Sequence, residues 1–485
     1  EDGELVDVIG PPSASRRSES GPLNLDGPAI PGTAPFHRDL REAEIRDLEP
    51  RLAGASWRDR PDTFQSRESD GDGGSGLWSA DPTGEPSAVP PAVGDTVPLR
   101  VITGAGSDIC ASWTEQAGRV AAVTEDVIMV SDTASPAELS DAHFQQFAQE
   151  FDQLVRPVEV EAFGEPTDID DNDRVIVFFT PVVNEQGAGG FTFTGDLFPR
   201  EDCEASNEGE IFYIISPDPT GEANPDIQVT TETVARLTTG IIGHEFQHLI
   251  NAGRRIYVNQ ASSLESVWMN EGLSHIAEEL LFYEQASLGP GQNITLNTLE
   301  SSSEIAEAAN RFMVENLFRY AVFSAVPTES TFLGSDNTAT RGSAWSFLRY
   351  AADQEENPDF FFELANSTTR GMANLGGVLD SSDPLELYQA WTASVFSDDY
   401  LSDLPVYLTQ PSWNHRTILP FFTESGEFPL SIQVIDGAGP IQVSLTGGSV
   451  AFFRVGLEAA RIGEFRIDAS GTAPEDLRVS VIRAD

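Results

Sequence analysis

The stretch Gly243-His244-Glu245-Phe246-Gln247-His248-Leu249-Ile250 decides how the rest of this 485-residue chain is read. Residues four apart on an α-helix stand one above the other, so His244 and His248 project from one face. Two imidazoles so placed offer two nitrogen ligands to a tetrahedral Zn²⁺. Glu245 lies beside His244, where it reaches a water without taking a ligand position and acts as a general base. The surrounding pattern is helical. Val234, Leu237 and Ile241 share the histidine face at about 100° per residue, and Ile242, Phe246 and Leu249 form an apolar flank. Gly253, followed by Arg254 and Arg255, marks the expected helix end, with cations at the negative end of the dipole. The alternative, two histidines on a surface helix, conflicts with this apolar setting, where unpartnered imidazoles are costly. With six histidines in the chain, a chance His-Glu-x-x-His is expected roughly 0.01 times.

A third ligand should follow on a second helix, and Trp268 to Leu281 supplies it. Leu273, Ile276, Ala277, Leu280 and Leu281 make an apolar stripe, with Glu271, His275 and Glu278 opposite, at i, i+4 and i+7. Glu271 follows His248 by 23 residues, enough to lay two helices side by side. Two histidines and one glutamate leave the fourth zinc position open, as catalysis requires. Alone, Glu271 would read as a first-turn acid complementing the helix dipole. After the histidine pair it reads as a ligand. His275 and Glu278, one and two turns further on, either orient a ligand histidine through its free N–H or form a solvated face.

His244-Glu245-Phe246-Gln247-His248 with Asn270-Glu271-Gly272-Leu273-Ser274-His275 resembles the gluzincin, or thermolysin-like, zinc peptidases. Within them it looks most like the hyicolysin-like family of secreted bacterial neutral metallopeptidases. The resemblance covers residues 100–425 loosely, with its specific motifs inside 243–279. It implies a cleft between an upper α/β subdomain and a lower helical one, and an upper edge strand that pairs with extended peptide; Glu210 to Ile215 is the candidate strand. It also implies a Tyr or His from the lower subdomain as oxyanion donor, with Tyr320, Tyr350, Tyr388 and His415 as candidates. Tyr350 lies in an amphipathic segment and is equally a core residue. Asn270-Glu271-Gly272 is also similar to the third-ligand motif of membrane-alanyl-aminopeptidase-type enzymes. Nothing before His244 matches their Gly-x-Met-Glu-Asn loop, so an endopeptidase is preferred.

The remainder sets bounds. Asp plus Glu number 78 against 28 basic residues, all arginine, for a net charge of −50. That excludes nucleic acid as a favoured partner and disfavours anionic lipid. No apolar run approaches the roughly 20 residues needed to span a bilayer. The chain begins with Glu1 and lacks a basic-then-apolar leader, so a signal peptide was removed or the sequence is a fragment. Cys110 and Cys203 stand at even odds between one disulfide and two free thiols, and export favours the bridge. Asp168-Ile169-Asp170-Asp171-Asn172-Asp173 has the spacing of a calcium loop but lacks its later Gly and Glu. An acidic turn before a strand is the plainer reading, with Ca²⁺ the alternative. His37 and His143 read as structural.

The expected fold is α+β. Residues 1–92 form a disordered arm or pro-segment, rich in Pro, Gly and Ser, with a lone helix near Arg38–Leu52. Residues 93–425 form a zincin-like peptidase domain, with an upper subdomain of mixed sheet (93–252) and a lower helical one (253–425). Residues 426–485, with five short apolar runs, read as a small β-sandwich that could touch a surface or ligand. The expected function is a secreted or extracellular, possibly periplasmic, zinc metalloendopeptidase acting on extended peptide. The rivals are a non-catalytic binding protein on a peptidase scaffold, a zinc aminopeptidase, and a zymogen whose arm covers the cleft.

Overall fold

The computed structural model describes residues 35–59, 91–334, 336–355, 357–379, 383–436, 440–457, 466–468 and 474–484. Its centre is a six-stranded sheet: β1 (Thr96–Ile102), β2 (Trp113–Val123), β3 (Val127–Asp132), β4 (Val175–Thr180), β5 (Gly190–Thr192) and β6 (Ile211–Ile215). The spatial order is β1-β2-β3-β4-β6-β5. The first three strands run antiparallel, β3-β4-β6 run parallel, and β5 returns antiparallel to β6. Val-Ile-Val-Phe-Phe-Thr in β4 and Ile-Phe-Tyr-Ile-Ile in β6 are buried along their whole length. Continuous apolar runs of this kind belong to strands covered on both faces. The edge-strand expectation for 210–215 is therefore corrected: β6 is interior, and the three-residue β5 is the edge. Full apolarity was the sign, because an edge strand needs no second apolar neighbour.

A helical layer continues the chain: α1 (Pro35–Asp47), which precedes the sheet in sequence, then α2 (Asp141–Glu150), α3 (Arg156–Phe163), α4 (Thr231–Gly253), α5 (Val267–Ala286), α6 (Val314–Ala325) and α7 (Thr338–Gln354). Thr230 caps α4 by accepting from the Thr233 amide at 3.2 Å. The helix packs on β5 and β6 with one side and on α5 with another, and α7 packs on α5 in turn. From Gly243 to Gly253 every residue is buried. The expected stop at Gly253 is absent. The residue is helical, and the chain winds on through a π-helical turn, Arg254–Val258. Gly253 is small for another reason: a Cβ there would lie 2.7 Å from Thr167 Oγ1. Arg255, rather than capping carbonyls in solvent, turns inward to Glu265 at 3.1 Å.

Cys110 and Cys203 are joined by a disulfide that closes a separation of 93 residues. Two expectations change. Within the N-terminal arm, residues 35–59 are folded against the domain, with Leu40, Leu48 and Leu52 fully buried; residues 1–34 and 60–90 lie outside the described residues. In the C-terminal module the described strands are one parallel pair, Ile432–Ile435 with Phe452–Val455, not a sandwich. Among the described residues no second layer covers its alternating apolar residues: Val434 is 65% and Val481 is 85% exposed. The pair is tied instead to the helical layer, through Ser431 N–H to Ser324 C=O and Tyr388 O–H to Gly448 C=O.

Burial raises several carboxyl groups: Asp196, Glu279 and Asp398 to about 7 and Glu210 to about 8. Unfolded carboxyls titrate near 4. Between these limits the folded carboxyls bind protons that the unfolded chain does not, which lowers stability as pH rises. Burial holds His37, His248, His275 and His415 near 3, which opposes this below about pH 6.5; above it the folded carboxyls still bind protons that the unfolded chain does not, so stability falls as pH rises from about 6.5 towards 8. Self-repulsion from the net charge acts in the same direction. The calorimetric midpoint is expected to be lower at pH 8 than at pH 6.5. A flat or rising midpoint would show these groups to be ionised and better solvated than their burial implies.

Candidate metal centre

Helix α4 carries His244 and His248, and α5 lies alongside with Glu271 in its second turn. The helix begins at Val267, four residues before Glu271, so this is not a first-turn acid answering the dipole. The imidazole Nε2 atoms of His244 and His248 are 3.2 Å apart. Glu271 Oε2 is 3.5 Å from the first and Oε1 is 3.7 Å from the second.

The far sides of the rings explain why the Nε2 atoms converge. His244 Nδ1 is 2.8 Å from Glu278 Oε1. An ionised carboxylate only accepts, so Nδ1 carries the proton and the Nε2 lone pair is free. His248 Nδ1 lies 3.0 Å from Ser274 Oγ and 3.2 Å from Asn270 Oδ1. The Ser274 hydroxyl donates to Gln247 Oε1 at 2.7 Å, so towards His248 it accepts. That again leaves Nε2 as the free donor atom. Orienting partners of this kind are what a metal-binding imidazole requires. Three facing donor atoms repel unless a cation or proton lies among them. The residues present fit a zinc ion held by His244, His248 and Glu271.

Electrostatics agree with that fit. Burial opposes charge on His244, yet the hydrogen bonds it donates to Glu271 and Glu278 lift it to about 9. Burial and the Arg41 guanidinium push His248 down to about 3. Burial alone would raise Glu271, but Arg341, then the histidines, hold it well below the usual carboxylate range. His275 is buried with Nδ1 3.4 Å from Glu278 Oε1, and its ring centroid is 4.7 Å from that of His244. If Glu278 orients His244, Glu278→Gln should weaken zinc binding by roughly 10–100-fold. Competition with a chromophoric chelator measures this, and an affinity within threefold of the parent would remove Glu278 from the site.

Glu245 is buried, and burial raises its carboxyl against the pull of His244 and Arg41. Thr192 Oγ1 donates to its Oε2 at 3.1 Å and to its backbone carbonyl at 2.8 Å. Strand β5 thus lies directly on Glu245. The contact is close because Gly190 has no side chain: a Cβ there would meet Tyr213 C=O at 2.9 Å and Glu245 Cγ at 3.3 Å.

The four candidate oxyanion donors are engaged elsewhere. Tyr350 donates to Tyr407 C=O and Tyr388 to Gly448 C=O. The Tyr320 and His415 rings meet tilted at 4.3 Å, beside Trp345, which in turn meets Trp413. The cations beside Glu271 are arginines: Arg341 Nη1 is 3.0 Å from Oε2, and Arg41 Nε is 3.2 Å from Oε1. His37, read as structural from sequence, is 2.8 Å from Gly190 C=O and 3.4 Å from Arg341. Arg341 was detectable as a charge among the small residues of the first turns of α7; Arg41 and His37 lie in a segment that composition had assigned to disorder. A second acidic group forms at the Asp168–Asp173 turn, for which Ca²⁺ was the alternative reading: there Asp168 and Asp170 meet Glu210, which is distant in sequence. His143 caps α2 by accepting from the Ser140 amide at 3.2 Å.

No family model matches the chain. The chain is similar to the neutral metalloprotease ShpI of Staphylococcus hyicus, 26% identical over 145 residues, which is 29% of this chain and 32% of that protein. The match therefore spans about a third of the relative's length. No helix among the described residues is long and apolar enough to cross a membrane. The similarity to a metalloprotease and the buried His-His-Glu cluster point the same way, towards a metallopeptidase.

Proposed function

We propose that this chain is a secreted zinc-dependent metalloendopeptidase whose catalytic domain spans residues 93–425. The observation that carries the reading is the convergence of His244 Nε2, His248 Nε2 and the Glu271 carboxylate, with Glu245 on the same helical turn. When bound, zinc supplies Lewis acidity, polarising a water and a peptide carbonyl. Glu245 takes the proton from the attacking water and hands it to the departing amine nitrogen. Thr192 holds the Glu245 carboxylate in place by one hydrogen bond. An extended peptide would pair with the free edge of β5, whose other edge is bonded to β6. The Cys110–Cys203 bond fits an oxidising compartment. A binding protein on the same scaffold would not need ligands, base and orienting partners all together.

The test is release of fragments from a quenched fluorescent unfolded protein by zinc-loaded chain, both intact and nicked between residues 59 and 91. Cleavage that a chelator abolishes and added zinc restores is expected from at least one form. Folded, zinc-saturated protein that is silent in both forms would leave the binding-protein reading standing.

A further inference from the structure

Strands β4 and β6 run parallel with Ile176 opposite Ile211, so the residues that precede each strand meet at one end of the sheet. The Asp168–Asp173 turn leads into β4, and Glu210 leads into β6. One oxygen from each of Asp168, Asp170 and Glu210 lies within 4.8 Å of the other two. These are not solvated acids: Asp170 is 6% and Glu210 is 1% exposed. Among the described residues no guanidinium offsets any of the three. Their hydrogen bonds are few. The Ile169 amide is shared between both Glu210 oxygens at 3.1 Å. The Asn172 amide donates to Asp168 Oδ1 at 3.0 Å, and Asn172 Nδ2 donates to Asp170 Oδ2 at 2.7 Å. The other Asp170 oxygen, Oδ1, is buried and accepts from no donor among the described residues. A turn that served only to start a strand would leave its carboxylates in water, where they cost nothing. Burial and then the two neighbouring carboxylates push Asp170 well above the ordinary range, and burial and then Asp168 push Glu210 up to about 8. Protons or a cation must relieve that repulsion.

We propose that Asp168, Asp170 and Glu210 bind a calcium ion, separate from the His-His-Glu centre, that fastens the turn before β4 to the start of β6. Ca²⁺ takes six to eight oxygens at 2.3–2.6 Å, so oxygens that share one ion stand no more than about 5 Å apart. The three carboxylates meet that limit. The donors are all oxygen, whereas zinc sites are built mainly from nitrogen and sulfur. Mg²⁺ demands near-ideal octahedral geometry and keeps several waters, for which two nearly fully buried carboxylates leave little room. Half-buried Asp168 gives the ion its way in. The place matters for the rest of the molecule. On its other side β6 pairs with β5, whose Thr192 holds Glu245. Thr167, next to the turn, packs on Gly253 at the end of α4. The ion would thus brace both the strand and the helix that carry the candidate centre. The share of Glu210 in the pH dependence described above belongs to the calcium-free chain.

The experiment uses the full chain, stripped of metal on a chelating resin and then saturated with zinc in every sample. CaCl₂ is the probe, and MgCl₂ at equal ionic strength is the control. Calorimetric titration should show one Ca²⁺ bound per chain, and a few millimolar Ca²⁺ should raise the thermal midpoint by about 3 °C or more, with Mg²⁺ giving far less. Asp170→Asn keeps the shape of the side chain and removes one charge. It should weaken calcium binding at least tenfold. Without calcium its midpoint should equal or exceed the parent's, because one repelling carboxylate is gone; with calcium it should fall below. A purely structural aspartate would not reverse its sign in this way. Asp168→Asn, at the half-buried position, should follow the same pattern and carries the test if Asp170→Asn fails to fold. No rise with calcium would mean that protons alone satisfy the cluster and would overturn the proposal. An equal rise with Mg²⁺ would mean screening of the net charge of −50 and would overturn it too. So would a calcium effect that survives both substitutions, which would place the ion elsewhere. Stability rather than hydrolysis is read, so the outcome does not depend on the peptidase reading.

Discussion

Glu245→Gln is expected to lower hydrolysis of unfolded protein by roughly 10²–10⁴-fold while leaving zinc affinity and thermal midpoint unchanged. The substitution preserves shape. Glutamine keeps an oxygen to accept the Thr192 hydroxyl at the 3.1 Å contact, so its side chain stays where the carboxylate was. What it removes is the ability to take a proton. Burial raises the native carboxyl above its ordinary value, which brings it nearer the working pH and makes it a better base in both directions of proton transfer. Because Glu245 is not among the converging donor atoms, the chelator-competition constant should not move. Activity within tenfold of the parent, in whichever form of the chain is active, would show that another group takes the proton.

The site was legible where chemistry and helical spacing coincide. His244 and His248 four apart, and Glu271, His275 and Glu278 down one side of a second helix, specify the contacts found between α4 and α5 because helix geometry is fixed by local hydrogen bonds. Asn270 and Ser274 were in the quoted motif, but their roles emerge only when α5 lies beside His248. Arg341 comes from a third helix, and no periodicity within one element can show which charge a distant helix presents. The helix expected near Arg38–Leu52 is present as α1, but its packing against the domain was not foreseen. Its composition, seven charged residues and one histidine among thirteen, reads as solvated or disordered. That rule fails when the charges have buried partners: Arg41 lies between Glu44 and Glu271, and Glu44 between Arg41 and the Thr194 amide. The C-terminal tail fails in the opposite way. Its alternation satisfies the strand pattern, but alternation only fits a residue for a sheet face and cannot supply the second layer.

Glu271 separates two effects that a single substitution would merge. Its carboxylate is the proposed third donor of the centre and also the partner of two buried guanidiniums, Arg41 and Arg341. Burial depresses arginine charge, yet both stay fully charged because Glu44 and Glu271 face Arg41 while Asp336 and Glu271 face Arg341. Removing the carboxylate with alanine strips a counter-charge from both and opens space between them. Breaking one buried pair in this way costs about 3–5 kcal/mol. Asp336 and Glu44 remain, so the loss should fall towards the lower figure. Glu271→Gln keeps the volume and an oxygen for both guanidiniums, so its unfolding free energy should fall by less than the alanine variant's. Both variants should lose zinc affinity by at least 100-fold, because a neutral amide is a poor ligand and two imidazoles alone do not complete the site. The pattern expected from denaturant unfolding and chelator competition is therefore two variants alike in metal binding and unlike in stability. If Glu271→Gln binds zinc as the parent does, the carboxylate serves the arginines alone and the third ligand must be sought elsewhere. If the two variants are equally unstable, Arg41 and Arg341 are held by Glu44 and Asp336 without it.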